Sequence, residues 1–200
     1  MLELEQLVID FAKCIEEVDA KHPQAKNART NEFYRPGFGP HPEAQAVDLV
    51  ADALQALNPA IYEERTYTSI PYPSAPRQKC DLCIGEKPIW DWSVEVKMLR
   101  LIGDNGKPND NILMHILPPY PQHRSALTDC FKLVTSEFPG RKAVLIYGFE
   151  SESYPLEPAI NAFEVLAREA KFLGRRYEAH FANLVHLYHQ FGAVYGWEIS

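Results

Sequence analysis

The sequence predicts an α/β fold in which a mixed central sheet is flanked by helices. Three observations carry this expectation. Apolar residues recur at helical spacing over residues 4–15 and 46–57. From residue 61 the period shortens to runs of Tyr, Thr, Ile, Val and Trp that suit strands. Helix-like and strand-like segments then alternate up to residue 149, an order that calls for a sheet with helices on its faces. With 200 residues, 46% hydrophobic and 24% charged, the chain is long enough for one domain with a sizeable core.

Leu4, Leu7, Val8, Phe11 and Ile15 line one face of an amphipathic N-terminal helix. A polar connection from about residue 21 to residue 42 carries Lys21, Lys26, Arg29 and Arg35 against Glu32 alone. Pro42, at a first helical position, opens a helix to residue 57 whose core face is Ala46, Leu49, Val50, Ala53, Leu54 and Leu57. Residues 61–70 read as a strand. Residues 80–85 and 89–101 form a hairpin around Glu86, Lys87 and Pro88. Residues 103–123, rich in Gly, Asn and Pro, make an irregular segment long enough to be a functional loop. A helix over 124–138 is stopped by Pro139 and Gly140, and the apolar run 142–149 is a buried strand. An amphipathic helix over 157–173 is closed by Gly174, residues 177–190 are expected to be helical, and 194–199 form a last strand.

Lys and Arg total 20 against 27 Asp and Glu, a formal charge of −7, which excludes a binder of nucleic acid that works through a uniformly basic surface. Local basic patches stay open. The acidity is uneven, because residues 1–20 hold Glu3, Glu5, Asp10, Glu16, Glu17 and Asp19 against Lys13. No apolar run approaches the roughly 18 residues that span a bilayer. The N-terminus lacks the basic start of a secretory signal, so a cytoplasmic protein without a membrane partner is expected.

The chemistry-bearing segment is Asp81 followed, after 13 residues, by Glu95, Val96 and Lys97. Folding the hairpin about its turn sets Asp81 opposite Glu95, and opposed residues on antiparallel strands have Cβ atoms about 5 Å apart. Glu95 and Lys97, two apart, share a strand face. Two carboxylates held side by side need a bridging cation, and oxygen donors suit a hard divalent ion such as Mg²⁺. A lysine beside such an ion can stabilise developing negative charge or help deprotonate water. Taken alone, the pattern is equally that of a cross-strand salt bridge on a sheet face.

The order helix, three strands, helix, strand over residues 42–149, with Asp81 on the second strand and Glu95-Val96-Lys97 on the third, resembles the PD-(D/E)XK nuclease superfamily, whose fold is the restriction-endonuclease-like αβββαβ core. The resemblance covers just over half the chain, and Cys80 stands where many members have proline. It implies a metal-dependent phosphodiesterase that cleaves DNA in restriction, phage defence or repair, with Mg²⁺ as cofactor and Mn²⁺ as a substitute. By the same resemblance Asp81, Glu95 and the Val96 carbonyl hold the ion, Lys97 assists, and Glu43 matches a further glutamate on the helix before the first strand. A homodimer is implied for cutting both strands. Arg35, His41, Gln122 and Arg124 flank these positions and are candidates for substrate contacts, with a surface or helix-capping role as the alternative. The competing function is a non-catalytic nucleic-acid-binding or assembly subunit of the same fold.

Three further groups have structural readings beside functional ones. Cys80 and Cys83 form a CxxC, but three-residue spacing on a strand sends them to opposite faces, which suits packing thiols better than a metal or redox pair. Asp129 and Lys132 are an ion pair on one helix face. His186 and His189 are three apart on the expected C-terminal helix and can share a zinc ion if a third ligand exists, packing being the alternative.

Overall fold

Turning the apolar patterns into elements produces, in the computed structural model, α1 (Leu4–Asp19), α2 (Glu43–Leu57), a helical turn α3 (Pro59–Tyr62), β1 (Thr66–Tyr72), β2 (Ala75–Glu86) and β3 (Ile89–Arg100). There follow α4 (Ala126–Val134), β4 (Arg141–Phe149), α5 (Glu157–Glu169), β5 (Leu173–Phe181) and β6 (Gly192–Ile199). The structure describes residues 2–109, 112–170 and 172–200. All six strands join one mixed sheet in the order β1-β2-β3-β4-β6-β5. Only β3 and β4 run parallel, joined by a crossover that contains α4.

Strand alternation divides the core into two. From β4, Ala143, Leu145, Tyr147 and Phe149 pack with the apolar faces of α1 and α2. Val144 and Ile146 pack on the opposite face with Leu127, Cys130 and Leu133 of α4 and Ile160 and Phe163 of α5. The result is a helix–sheet–helix sandwich with β3 and β4 buried at its centre. No helix among the described residues is long and apolar enough to cross a membrane.

Several local expectations are corrected. The first strand begins at Thr66, not residue 61, because Ile61 and Tyr62 donate backbone bonds to the Asn58 carbonyl. That turn is pinned by the buried Tyr62 hydroxyl, which donates to Asp10 on α1 at 2.8 Å. The expected helix over 177–190 is instead the strand β5 followed by an irregular segment. Tyr177, Ala179 and Phe181, at alternate positions, pack into the α1 core, while β5 supplies β6 with its second hydrogen-bonding neighbour. Trp90 and Trp92, two apart on β3, would share a face under regular alternation, as the sequence leads one to expect, but they do not. A bulge pairs Ile84 with Trp92 and Gly85 with Trp90, leaving Asp91 as the extra residue, so the two indoles enter opposite cores. Cys80 and Cys83, conversely, both sit in the α4 core. Alternation breaks between them at Asp81, which faces Ser69, a residue at φ 55°. Burial pushes the Cys80 thiol up. The two later helices are also shorter than expected, and α4 starts from Ser125, whose Oγ accepts the Thr128 amide at 3.2 Å.

Trp92 ties the N-terminus to the sheet: its indole donates to the Leu2 carbonyl at 3.0 Å and its ring lies 4.1 Å from the Arg141 guanidinium. Trp92→Ala is expected to lower stability by about 3–5 kcal/mol in urea unfolding, through the cavity and the lost contacts.

Candidate active site

The site is built where two strands part. β2 and β3 pair only from the turn to Leu82 and Val94; beyond that point β2 continues with β1 alone and β3 with β4 alone. Backbone amides of β3 that lose their ladder partners must find others. Two of them meet carboxylates. The Val96 amide donates to Asp81 Oδ2 at 2.8 Å, and the Met98 amide donates to Glu43 Oε2 at 2.6 Å. Glu43 is the first residue of α2, so the helix N-terminus delivers it to the gap and favours its charge.

On the face toward α4, Lys97 and Lys132 interleave with the acids. Lys97 Nζ lies 3.2 Å from Glu43 Oε1 and 3.0 Å from Asp129 Oδ2, and it also donates to the Val96 carbonyl at 3.3 Å. Lys132 Nζ lies 2.8 Å from Glu95 Oε1 and 2.9 Å from Asp129 Oδ1. The Tyr72 hydroxyl, on β1, donates to the same Glu95 oxygen. Asp81, Glu95 and Lys97 are therefore neighbours, as the hairpin geometry anticipates; Glu43, expected only from the resemblance, joins them, and the circle extends to Tyr72, Asp129 and Lys132.

Burial dominates the titration of this cluster. It pushes the Glu95 carboxyl well above the usual range, and Asp81 and Asp129 push it further against the opposing pull of Lys132. Burial also raises Glu43, more than Lys97 and the Met98 amide lower it. For Lys97, burial disfavours the ammonium, but Asp129, Glu43, Asp81 and Glu95 outweigh it and hold the amine above its ordinary value. Lys132 is raised in the same way by Glu95 and Asp129. Both amines are thus cations at neutral pH. In this arrangement Lys97 is equipped to stabilise negative charge and not to remove a proton.

Four carboxylates against two ammonium groups leave two formal negative charges when all are ionised. This is the charge that a divalent cation offsets, and the donors are oxygens of the hard type that Mg²⁺ prefers. Asp81 and Glu95 stand side by side and Glu43 lies across the gap, but among the described residues no three carboxylates of this cluster bring one oxygen each within 4.8 Å of one another, so a shared ion would require these side chains to draw together. The Val96 carbonyl, the fourth expected donor, already accepts from Lys97.

The other expected contacts lie outside this circle of bonds. His41 is buried and its Nδ1–H donates to the Phe38 carbonyl at 3.1 Å. Arg35 is exposed on the connection before α2, and Gln122 and Arg124 are exposed just ahead of α4. Asp91 pairs with Arg65 at 2.8 Å near the hairpin turn. Tyr72, Asp129 and Lys132 are the participants that sequence reasoning does not assign to the site. Asp129 and Lys132 are visible as an ion pair, but nothing in the spacing tells that their helix face turns toward Glu95 and Lys97.

No family model matches the chain, and no curated protein and no solved structure matches it.

The raised carboxyls set a pH dependence. A carboxyl raised on folding binds its proton more tightly in the native state, so its contribution is full below the ordinary value near 4.5 and is lost as pH rises through the raised value. The buried histidines, which are lowered, act in the opposite direction over the same range. Comparing Glu95→Gln with wild type removes that background. Without divalent ions, the variant is expected to gain thermal stability relative to wild type between about pH 5 and pH 8, opening a gap of about 3 °C or more in calorimetry. An unchanged gap contradicts the burial of an unneutralised charge.

Proposed function

We propose that the protein is a Mg²⁺-dependent nuclease of the PD-(D/E)XK kind, hydrolysing phosphodiester bonds in DNA. The observation that carries the reading is the convergence, where β2 and β3 separate, of three carboxylates with a lysine held as a cation. The element order from α2 to β4, with a parallel β3–β4 pair joined through a helix, supports it as well. Asp81, Glu95 and Glu43 would hold the ion. When bound, Mg²⁺, or Mn²⁺ in its place, supplies a polarised phosphate and an acidified water.

The chain's own groups do the remainder. In hydrolysis a water oxygen bonds to phosphorus and gives up a proton to solvent, the bond from phosphorus to one sugar oxygen breaks and that oxygen takes a proton from solvent, and negative charge grows on the phosphate oxygens between these events. Lys97 presents a fixed ammonium to that charge, and a charge already oriented in a partly buried site needs no reorganisation. Asp129 and Glu43 position Lys97 from two sides, while Lys132 and Tyr72 orient Glu95. Arg35, Gln122 and Arg124, exposed on the segments that flank the site, contact the DNA backbone in this reading. A homodimer is the acting species for cleavage of both strands.

Incubation with plasmid DNA tests the proposal. Nicking or linearisation is expected with Mg²⁺ or Mn²⁺ and not with a chelator. Asp81→Asn and Lys97→Gln are each expected to lower the rate by about 100-fold or more while far-ultraviolet circular dichroism is unchanged. Cleavage that persists in both variants overturns the assignment. DNA binding by the folded wild type without cleavage under either ion points instead to the non-catalytic binding or assembly subunit.

A further inference from the structure

A second set of metal-ligating side chains lies beyond the carboxyl end of β3. Asp104, four residues past Arg100, is brought against His186 and His189 from the connection between β5 and β6, and one donor atom from each lies within 4.8 Å of the other two. Both imidazoles are almost wholly buried, His186 at 1% and His189 at 0% exposure. They stack, with ring centroids 4.5 Å apart and planes 17° from parallel.

The hydrogen bonding of these rings is incomplete in a directed way. His189 Nε2–H donates to the Ile102 carbonyl at 2.9 Å, which leaves Nδ1 as a bare lone pair. Among the described residues that Nδ1 is buried without a hydrogen-bond partner, and it lies 3.7 Å from Asp104 Oδ1. Among the same residues His186 Nε2 is also buried without a partner, and its Nδ1 has a long 3.4 Å contact from the Tyr188 amide. Buried polar atoms in native proteins almost always have partners, so two orphaned ring nitrogens beside a carboxylate call for an explanation. Backbone closes tightly around them: a Cβ on Gly39 would fall 2.3 Å from His189 Nδ1.

We propose that Asp104, His186 and His189 form a binding site for Zn²⁺ or a similar borderline transition-metal ion. Two imidazole nitrogens and one carboxylate oxygen are a donor set that this class of ion selects and that Mg²⁺ does not. Ligands of a tetrahedral zinc stand about 3.3 Å apart given bonds of about 2.0 Å. The observed separations therefore need side-chain shifts of about 1 Å, and the near-parallel rings must tilt. His186 must carry its proton on Nδ1, giving up the long Tyr188 contact. The Ile102 carbonyl already does for His189 what an outer-shell acceptor does for a zinc-bound imidazole, fixing the tautomer that offers Nδ1. Burial lowers both rings, His189 to about 4, so both are neutral at physiological pH. Arg100, which donates to Asp104 Oδ1 at 3.2 Å and to the Gly39 carbonyl at 2.8 Å, holds the carboxylate at the mouth of the site. A water completes four ligands. The ion would staple the loop after β3 to the connection before β6, and it is independent of the carboxylate cluster on β2 and β3.

Cobalt(II) titration followed by visible absorption tests the site, with zinc counted by elemental analysis after exhaustive dialysis. Wild type is expected to take up one equivalent of zinc and to show the intense bands of four-coordinate cobalt, with a thermal midpoint that rises on binding. Asp104→Asn and His186→Gln are each expected to weaken binding by tenfold or more. Asp104, half-buried on a loop, is the variant whose folding is least at risk. Asp81→Asn is expected to leave the cobalt spectrum unchanged. The proposal is overturned if the folded wild type binds neither metal, as it would if a small rotation joined the two rings by a direct hydrogen bond. It is overturned equally if Asp104→Asn and His186→Gln bind as wild type does.

Discussion

The parting of β2 from β3 beyond Leu82 and Val94 governs both the local structure and the chemistry available to it. A continuous ladder would have consumed the Val96 and Met98 amides in strand pairing and brought the two backbones to about 5 Å, leaving no room between them. Because the strands separate, those amides turn to Asp81 and Glu43, and the carboxylates are drawn into the gap from a neighbouring strand and from a helix terminus. The parallel pairing of β3 with β4 continues through the same residues, from Trp92 to Arg100, so the far side of β3 stays rigid while its near side is open. The site thus rests on the most buried strands of the sandwich, an arrangement that holds functional groups better than a loop does.

Electrostatics follow from that geometry. Packing four carboxylates into a largely buried space is unfavourable unless cations answer them, and the chain supplies two, Lys97 and Lys132, each shared between acids. Asp129 takes part in both pairs and links β3 to α4. The shortfall of positive charge is what leaves Glu95 and Glu43 with raised affinity for protons in the absence of an ion. A proton and a divalent cation are alternative ways of meeting the same deficit. The formal charge of −7, which at first sight discourages a nucleic-acid substrate, lies in part in this carboxylate cluster and in part in the acidic α1 on the opposite side of the sheet from α4.

The α/β class and the closeness of Asp81 to Glu95 are legible in the sequence because both depend on short-range geometry. Helical spacing marked α1 and α2, and hairpin arithmetic put Asp81 beside Glu95 without any knowledge of the rest. Glu43 needed the resemblance in element order. What could not be read depends on long-range packing. Residues 177–190 carry Tyr177, Leu184 and Leu187 at spacings that also suit a helix, and the hydrogen-bonding need of β6 makes the first part, within β5, a strand. A one-residue bulge at Asp91 sends Trp90 to the other core, and the break at Asp81 does the same for Cys80. The roles of Tyr72, Asp129 and Lys132 require knowing which face of α4 and which end of β1 meet β3. The ligand that His186 and His189 lacked in sequence, Asp104, lies more than 80 residues away and on a different loop.

The proposed nuclease requires that the gap between β2 and β3 take up a divalent cation in a place that the lysines otherwise partly fill. Crystals grown with Mn²⁺ and measured at the manganese absorption edge test it most directly. An anomalous peak is expected between Asp81, Glu95 and Glu43, with Lys132 drawn away from Glu95 and Lys97 still held by Asp129. A folded protein that shows no peak there at millimolar Mn²⁺, with Lys132 still bonded to Glu95, would contradict it.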